Sequence, residues 1–97
     1  MRFIWDENKN FANVTKHGLN FKDAERVFGL YMDTTIDDRE DYGETRWLGI
    51  GLLDNRMVSV VYTEPDEDTI RIVSLRRATT QERKKYERSA RNRLGAN

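Results

Sequence analysis

The sequence predicts an α+β domain with two N-terminal helices, an antiparallel sheet of about four strands and one C-terminal helix. Three observations predict it. Two N-cap signals, Asp6 and Asn20, each precede a short helical pattern. From about residue 44 the chain changes to alternating apolar residues, broken by turns at Asp54-Asn55 and at Glu64-Pro65-Asp66-Glu67-Asp68. Thr79-Thr80-Gln81-Glu82 then has the S/T-x-x-E form of a capping box.

The elements follow in order. After a short extended start, Asp6 caps a helix over about residues 7 to 16, with Phe11, Ala12 and Val14 as its thin apolar content and Gly18 as its stop. Asn20 caps the second helix, with Asp23 placed to reach back to the cap. Phe21, Ala24, Val27 and Phe28 give it a core-facing stripe, and Gly29 ends it. A weak strand signal at Met32 to Ile36 precedes three stronger ones. In Glu44 to Leu53, the residues Glu44, Arg46, Leu48, Ile50 and Leu52 share a face. In Met57 to Thr63, Val58, Val60 and Tyr62 oppose Met57, Ser59, Val61 and Thr63. In the last strand, Ile70, Ile72, Ser74 and Arg76 share one face, and Arg71, Val73, Leu75 and Arg77 the other. Short connections imply antiparallel pairing, with the helices packed on one face of the sheet. The final helix carries Tyr86, Ala90 and Leu94 on an otherwise basic surface, enough for one narrow contact stripe.

At 97 residues the chain is one domain, expected over 1–97. It has no Cys, which rules out thiolate metal sites and suits a reducing cytosol. No run approaches the roughly 18 apolar residues of a membrane span. The start, Met1-Arg2-Phe3-Ile4-Trp5-Asp6, turns polar too early for a signal peptide. A cytoplasmic protein without membrane contact is expected. The net charge of zero hides an asymmetry: from Arg71 onward nine basic residues face two acidic ones, and the rest of the chain balances them. Such an end attracts nucleic acid or an acidic partner, unless it is only a solvated basic helix.

The residue types exclude much chemistry. His17 is the only His, and the carboxylates are scattered or lie in acidic turns, so no metal or other cofactor is expected. No Ser sits in a glycine-rich elbow. Gly49-Ile50-Gly51 lies in a strand pattern without the following helix of a phosphate loop. What remains is Lys16, His17, Arg39, Arg46, Tyr62, Arg71, Arg76 and Arg77, with Glu44 as a carboxylate. RNA cleavage by 2′-hydroxyl attack needs only such groups: a base, an acid, and cations for the charge gathering on phosphorus. His17 and Glu44 are candidate bases, and arginines bind phosphate bidentately. Each also has a structural reading: a helix-end His, a surface ion pair between Glu44 and Arg46, a core Tyr62.

An ordered set of short motifs covers the chain from about residue 3 to 87. Trp5-Asp6, Lys9, Asn13, Lys16-His17-Gly18, Phe21, Ala24 and Val27-Phe28 come first. Tyr42-Gly43-Glu44-x-Arg46, Val60-Val61-Tyr62-Thr63, Arg71-Ile72-Val73-Ser74, Arg76, Ala78-Thr79, Glu82 and Tyr86-Glu87 follow. This set resembles the BrnT toxin family. The resemblance implies a RelE-like fold and a metal-independent ribonuclease, the toxin of a bacterial type II toxin–antitoxin pair, which cuts mRNA and arrests translation. It implies a BrnA-like antitoxin with a ribbon-helix-helix part, through which the complex would reach operator DNA. The resemblance draws the working residues from Lys16, His17, Glu44, Arg46, Tyr62, Arg71 and Arg76. Residue chemistry adds Arg39, in a loop beside them, and Arg77, whose charge helps the basic helix attract RNA. The expected sets are His17, Glu44, Arg46, Arg71 and Arg76 for catalysis, and Lys16, Arg39, Tyr62 and Arg77 for RNA binding. Two positions depart from the family pattern. Glu64-Pro65 stands where a turn cation is common, and Leu75 where Ala is common. The rival classes are a toxin-like module that binds antitoxin or nucleic acid without cutting it, and a structural domain with no nucleic-acid role.

Overall fold

The computed structural model describes residues 1–94 of the chain, and Gly95, Ala96 and Asn97 lie outside the described residues. Strand β1 (Arg2–Trp5) leads into helix α1 (Glu7–His17). The Asp6 carboxylate accepts from the backbone N–H groups of Asn8 and Lys9, at 2.8 and 3.1 Å. Gly18 closes α1 at φ 72°. The second predicted helix is shorter than its apolar stripe suggests. A 3₁₀ turn at Phe21–Asp23 runs into the five-residue α2 (Ala24–Phe28). Asn20 caps it as expected, but the Asp23 carboxylate does not reach back; it pairs with Arg26 at 3.0 Å. So short a helix is held by packing rather than propensity, and Phe21, Ala24 and Val27 are all fully buried.

Strands β2 (Asp33–Ile36), β3 (Trp47–Leu53), β4 (Arg56–Asp66) and β5 (Thr69–Arg77) form the antiparallel sheet, and helix α3 (Thr80–Arg93) follows. The sheet has a fifth strand that the sequence pattern did not count. β1 pairs parallel with β5, Phe3 beside Ile70 and Trp5 beside Ile72, giving a mixed sheet of order β1-β5-β4-β3-β2. Beyond the end of β1, α1 takes over the open edge of β5. The Asn13 amide donates to the Leu75 carbonyl at 2.8 Å and accepts from the Leu75 N–H at 3.1 Å. A buried side chain thus completes the ladder, leaving neither backbone group unsatisfied.

The helices occupy both faces of the sheet, not one. Residues Leu19 to Val27 pack on the face formed by Val58, Val60, Tyr62, Ile70, Ile72 and Leu75, and this is the core. Gly51 allows the closest approach: a Cβ there would stand 2.9 Å from both Val27 Cγ1 and Met32 Cγ. Helix α3 lies against β2 and β3 on the other side. Its stripe is narrower than predicted, because Tyr86 and Ala90 are half-buried but Leu94 is 80% exposed. Polar contacts and one aromatic pair hold it instead: Lys85 to Asp33 at 2.8 Å, Tyr31 to Ser89, and the Tyr31 ring tilted on Tyr86.

Strict alternation along β5 fails at one residue. Tyr62 pairs with Ile72 but Val61 pairs with Ser74, so Val73 is an unpaired extra residue, a β-bulge. A one-residue slip moves every later side chain to the opposite face. Leu75 therefore joins Ile70 and Ile72 in the core, and Arg71, Ser74 and Arg76 share the outer face. A second slip between Thr63 and Asp66 lets β4 run through Pro65, so the turn shrinks to Glu67-Asp68. Proline tolerates such a place because no ladder N–H is needed there.

Candidate active site

The outer face gathers most of the predicted groups, from β5 and from the segment between β2 and β3. Glu44 and Arg46 are not in a strand as expected. They lie in the loop before β3, which begins at Trp47. Gly43 turns this loop at φ 71°, a conformation that strains other residues, and the Asp41 side chain accepts from its N–H at 3.0 Å. The turn brings Glu44 to Arg71, near the start of β5. One Arg71 nitrogen, Nη2, donates to both Glu44 oxygens, at 2.9 and 2.8 Å. Arg46 Nε donates to Glu44 Oε2 at 3.2 Å, and its guanidinium lies 4.0 Å from the centre of the Tyr42 ring.

Two cations share one carboxylate here, which leaves a surplus positive charge. Partial burial alone would raise the Glu44 pKa, but the hydrogen bonds and charges of Arg46 and Arg71 outweigh it and hold it below the ordinary value. These groups, with Ile4, Trp5 and Lys9, line a cleft of about 550 Å³. Next to it the buried Asp37 carboxylate binds Arg39 at 2.7 and 2.8 Å, with the Tyr42 hydroxyl at 3.4 Å. The Arg39 hydrogen bonds keep Asp37 ionised below its ordinary pKa, and Arg39 itself is raised by the same pair.

Arg76 shares the Arg71 face but is differently engaged. Its Nη1 and Nη2 donate to the two Glu82 oxygens at 2.8 and 2.9 Å. Glu82 Oε1 also accepts from the Ser59 hydroxyl at 2.8 Å and the Thr79 N–H at 2.9 Å. Arg76 first, and then its other donors, draw Glu82 down to about 2 against the cost of burial. The predicted capping box is present, with Thr79 Oγ1 accepting from Glu82 N at 3.1 Å. Its glutamate does double service as the anchor for Arg76.

The other predicted residues scatter. His17, at the end of α1, is half-buried, and burial, then Lys16, then Arg76 lower its pKa, so it is largely neutral at pH 7. Lys16 is exposed. Tyr62 leaves the set: it pairs with Trp47 and Ile72 on the core face, packs edge-on against Phe28 at 4.9 Å, and burial pushes its hydroxyl up to about 12. Arg77, one residue past Arg76, points to the opposite face and lies at the far end of β5 from the cleft. Trp5, Lys9 and Tyr42 also line the cleft, although their residue types alone do not mark them as site residues. All three belong to the motifs that carry the family resemblance, and that was the only signal for them. No group of three or more His, Asp or Glu able to hold a metal ion occurs among the described residues. No described helix is long and apolar enough to cross a membrane.

Comparison with known proteins bears on the family and the fold. The chain is similar to the ribonuclease toxin BrnT of Brucella abortus, whose crystal structure superposes with a TM-score of 0.62 at 25% sequence identity, over 82% of this chain and 99% of that one. No curated protein matches the chain. Residues 5–82, which span β1's end to the Glu82 anchor, match the family described as the ribonuclease toxin, BrnT, of type II toxin-antitoxin systems. The chain belongs to the BrnT family of type II toxins.

Proposed function

We propose that the chain is a metal-independent endoribonuclease that cuts mRNA and so arrests translation in the bacterial cytoplasm. The observation that carries this reading is Glu44 held between Arg71 and Arg46 at an open cleft. A phosphodiester entering there meets two guanidinium groups suited to its oxygens. Glu44, ionised at neutral pH, accepts the 2′ proton. The 2′ oxygen attacks phosphorus, the 5′ oxygen leaves with a proton from water or a nearby acid, and a cyclic phosphate remains. The arginines stabilise the charge that gathers on phosphorus. Arg76 supports the site by fixing α3, since its donors already face Glu82. Membership of the family implies an antitoxin partner. We take it to be a BrnA-like protein with a ribbon-helix-helix part, which covers the cleft and links the complex to operator DNA.

One observation favours a second reading. Glu44 is already satisfied by two arginines, as in a structural ion pair, which suits a module that binds antitoxin or RNA without cutting it. Cleavage separates the two. Purified protein, free of antitoxin and in EDTA, should cut single-stranded or ribosome-bound mRNA, and Arg71→Ala should slow the cut by about 10²-fold or more. Intact RNA in both settings would leave only the binding module.

A further inference from the structure

The opposite end of β5 carries a second cluster of arginines. Arg56 at the start of β4, Arg77 at the end of β5 and Arg83 in the first turn of α3 surround a groove of about 210 Å³, closed by Asn55, Met57 and Ala78. All three arginines are exposed, and none forms a side-chain hydrogen bond or ion pair among the described residues. The clefts around Arg2, around Glu44 and around Thr63 each contain carboxylates; this groove contains none. The carboxylates adjacent in sequence are engaged elsewhere: Glu82 by Arg76 and Ser59, and Asp54 by Arg26.

The fold does not require this arrangement. Three like charges repel one another, and cations near a helix N-terminus oppose its dipole by some tenths of a kcal/mol each. Arg76, on the same strand, is fully partnered by comparison. Unpartnered guanidinium groups around a carboxylate-free groove are a binding surface for phosphate.

We propose that Arg56, Arg77 and Arg83 bind backbone phosphates of the RNA substrate outside the cleft. The inference rests on the RNA-cleaving reading above and adds the path of the strand. From Arg71 to Arg77 the distance along β5 is about 20 Å at roughly 3.3 Å per residue. An RNA that reaches both sites must therefore be several nucleotides long and pass over the end of the sheet. Arg77 then has a task that its position outside the cleft otherwise leaves open.

The test uses the full chain and fluorescent 2′-O-methyl RNA, which cannot be cut by 2′ attack. One probe is a dinucleotide that fits the cleft alone; the other is long enough to span both sites. The variant combines Arg56→Gln, Arg77→Gln and Arg83→Gln, all at exposed positions. It should bind the long probe about tenfold or more weakly, and its log affinity against log salt should lose about 0.7 of slope per phosphate contact removed. Dinucleotide binding should not change. The matching Arg→Lys variant, which keeps the charge, should restore most of the salt slope. If the Gln variant binds the long probe with wild-type affinity and slope, the inference falls and the ribonuclease reading stands. If it keeps RNA and loses an acidic protein partner instead, the groove docks protein and the inference falls. If wild type binds neither probe, both readings fall together.

Discussion

Arg71 and Arg76 are five residues apart on one strand, face the same side of the sheet and each meet a glutamate, yet the two pairs do different things. Glu82 is mostly enclosed and accepts from an arginine, a hydroxyl and the N–H of the N-cap residue Thr79. Every donor around it is satisfied, and together they pin α3 to β4 and β5. Glu44 sits at the surface on a loop and is shared by two arginines beside an open cleft. Matched charge with saturated hydrogen bonds locks a fold. Surplus cation beside open volume leaves something for a ligand to do. The difference teaches that an Arg–Glu pair is read from its neighbours, not from its distance.

The sharpest way to break this contrast is at Arg71. Arg71→Ala should lower RNA cleavage by about 10²- to 10³-fold, the usual cost of one transition-state donor. Its urea midpoint should match wild type, because an exposed ion pair adds little to stability. Arg71→Lys should recover only part of the rate, since an ammonium cannot present two parallel donors. A variant that loses stability and activity in parallel would make the Arg71 pair structural, like the Arg76 pair.

The reverse pattern belongs to Glu82. Glu82→Ala removes the capping carboxylate and leaves Arg76 and Ser59 without their partner, at a cost of about 2–3 kcal/mol. Urea unfolding by circular dichroism should move accordingly. The same residue gives an acid signature. Its folded pKa, about 2, lies below its ordinary value of 4.5. A depressed carboxylate contributes stability that is complete above the unfolded pKa and is lost as pH falls towards the folded one. Wild type should therefore lose stability between about pH 4.5 and 2. Glu82→Gln should lose less across that window, and a curve parallel to wild type would remove Glu82 from this role.

How much of this was legible in the sequence depended on range. The caps at Asp6, Asn20 and Thr79 act within three residues and were readable. β1 was not, because its four residues pair with a strand 67 positions away and without a hairpin. The bulge at Val73 left no mark in an alternating pattern, and so Arg71 and Arg76 seemed to face opposite sides. Glu44-Thr45-Arg46 alternates like a strand, but Gly43 turns it into the loop that delivers Glu44 to Arg71. Tyr62 carried the same polar handle in either reading; only its register beside Trp47 and Ile72 puts it in the core. The capping box revealed Glu82, but not that its carboxylate also holds Arg76.

The finest test of the contrast is the acid limb of activity. Arg46 and Arg71 lower the Glu44 pKa below its ordinary value, so the base stays ionised into mild acid. Removing a cation must raise that pKa and move the acid limb of kcat/KM to higher pH. Arg46→Ala is the cleaner variant, because it leaves both Arg71 contacts to Glu44 in place. The shift is upward, and it is small because the pair is exposed and screened by water. Glu82→Gln should leave the limb where it is, provided the protein remains folded at each pH. If the limb follows Glu82 and ignores Arg46, the base is on the wrong side of the comparison, and the locked pair rather than the open one would be tied to catalysis.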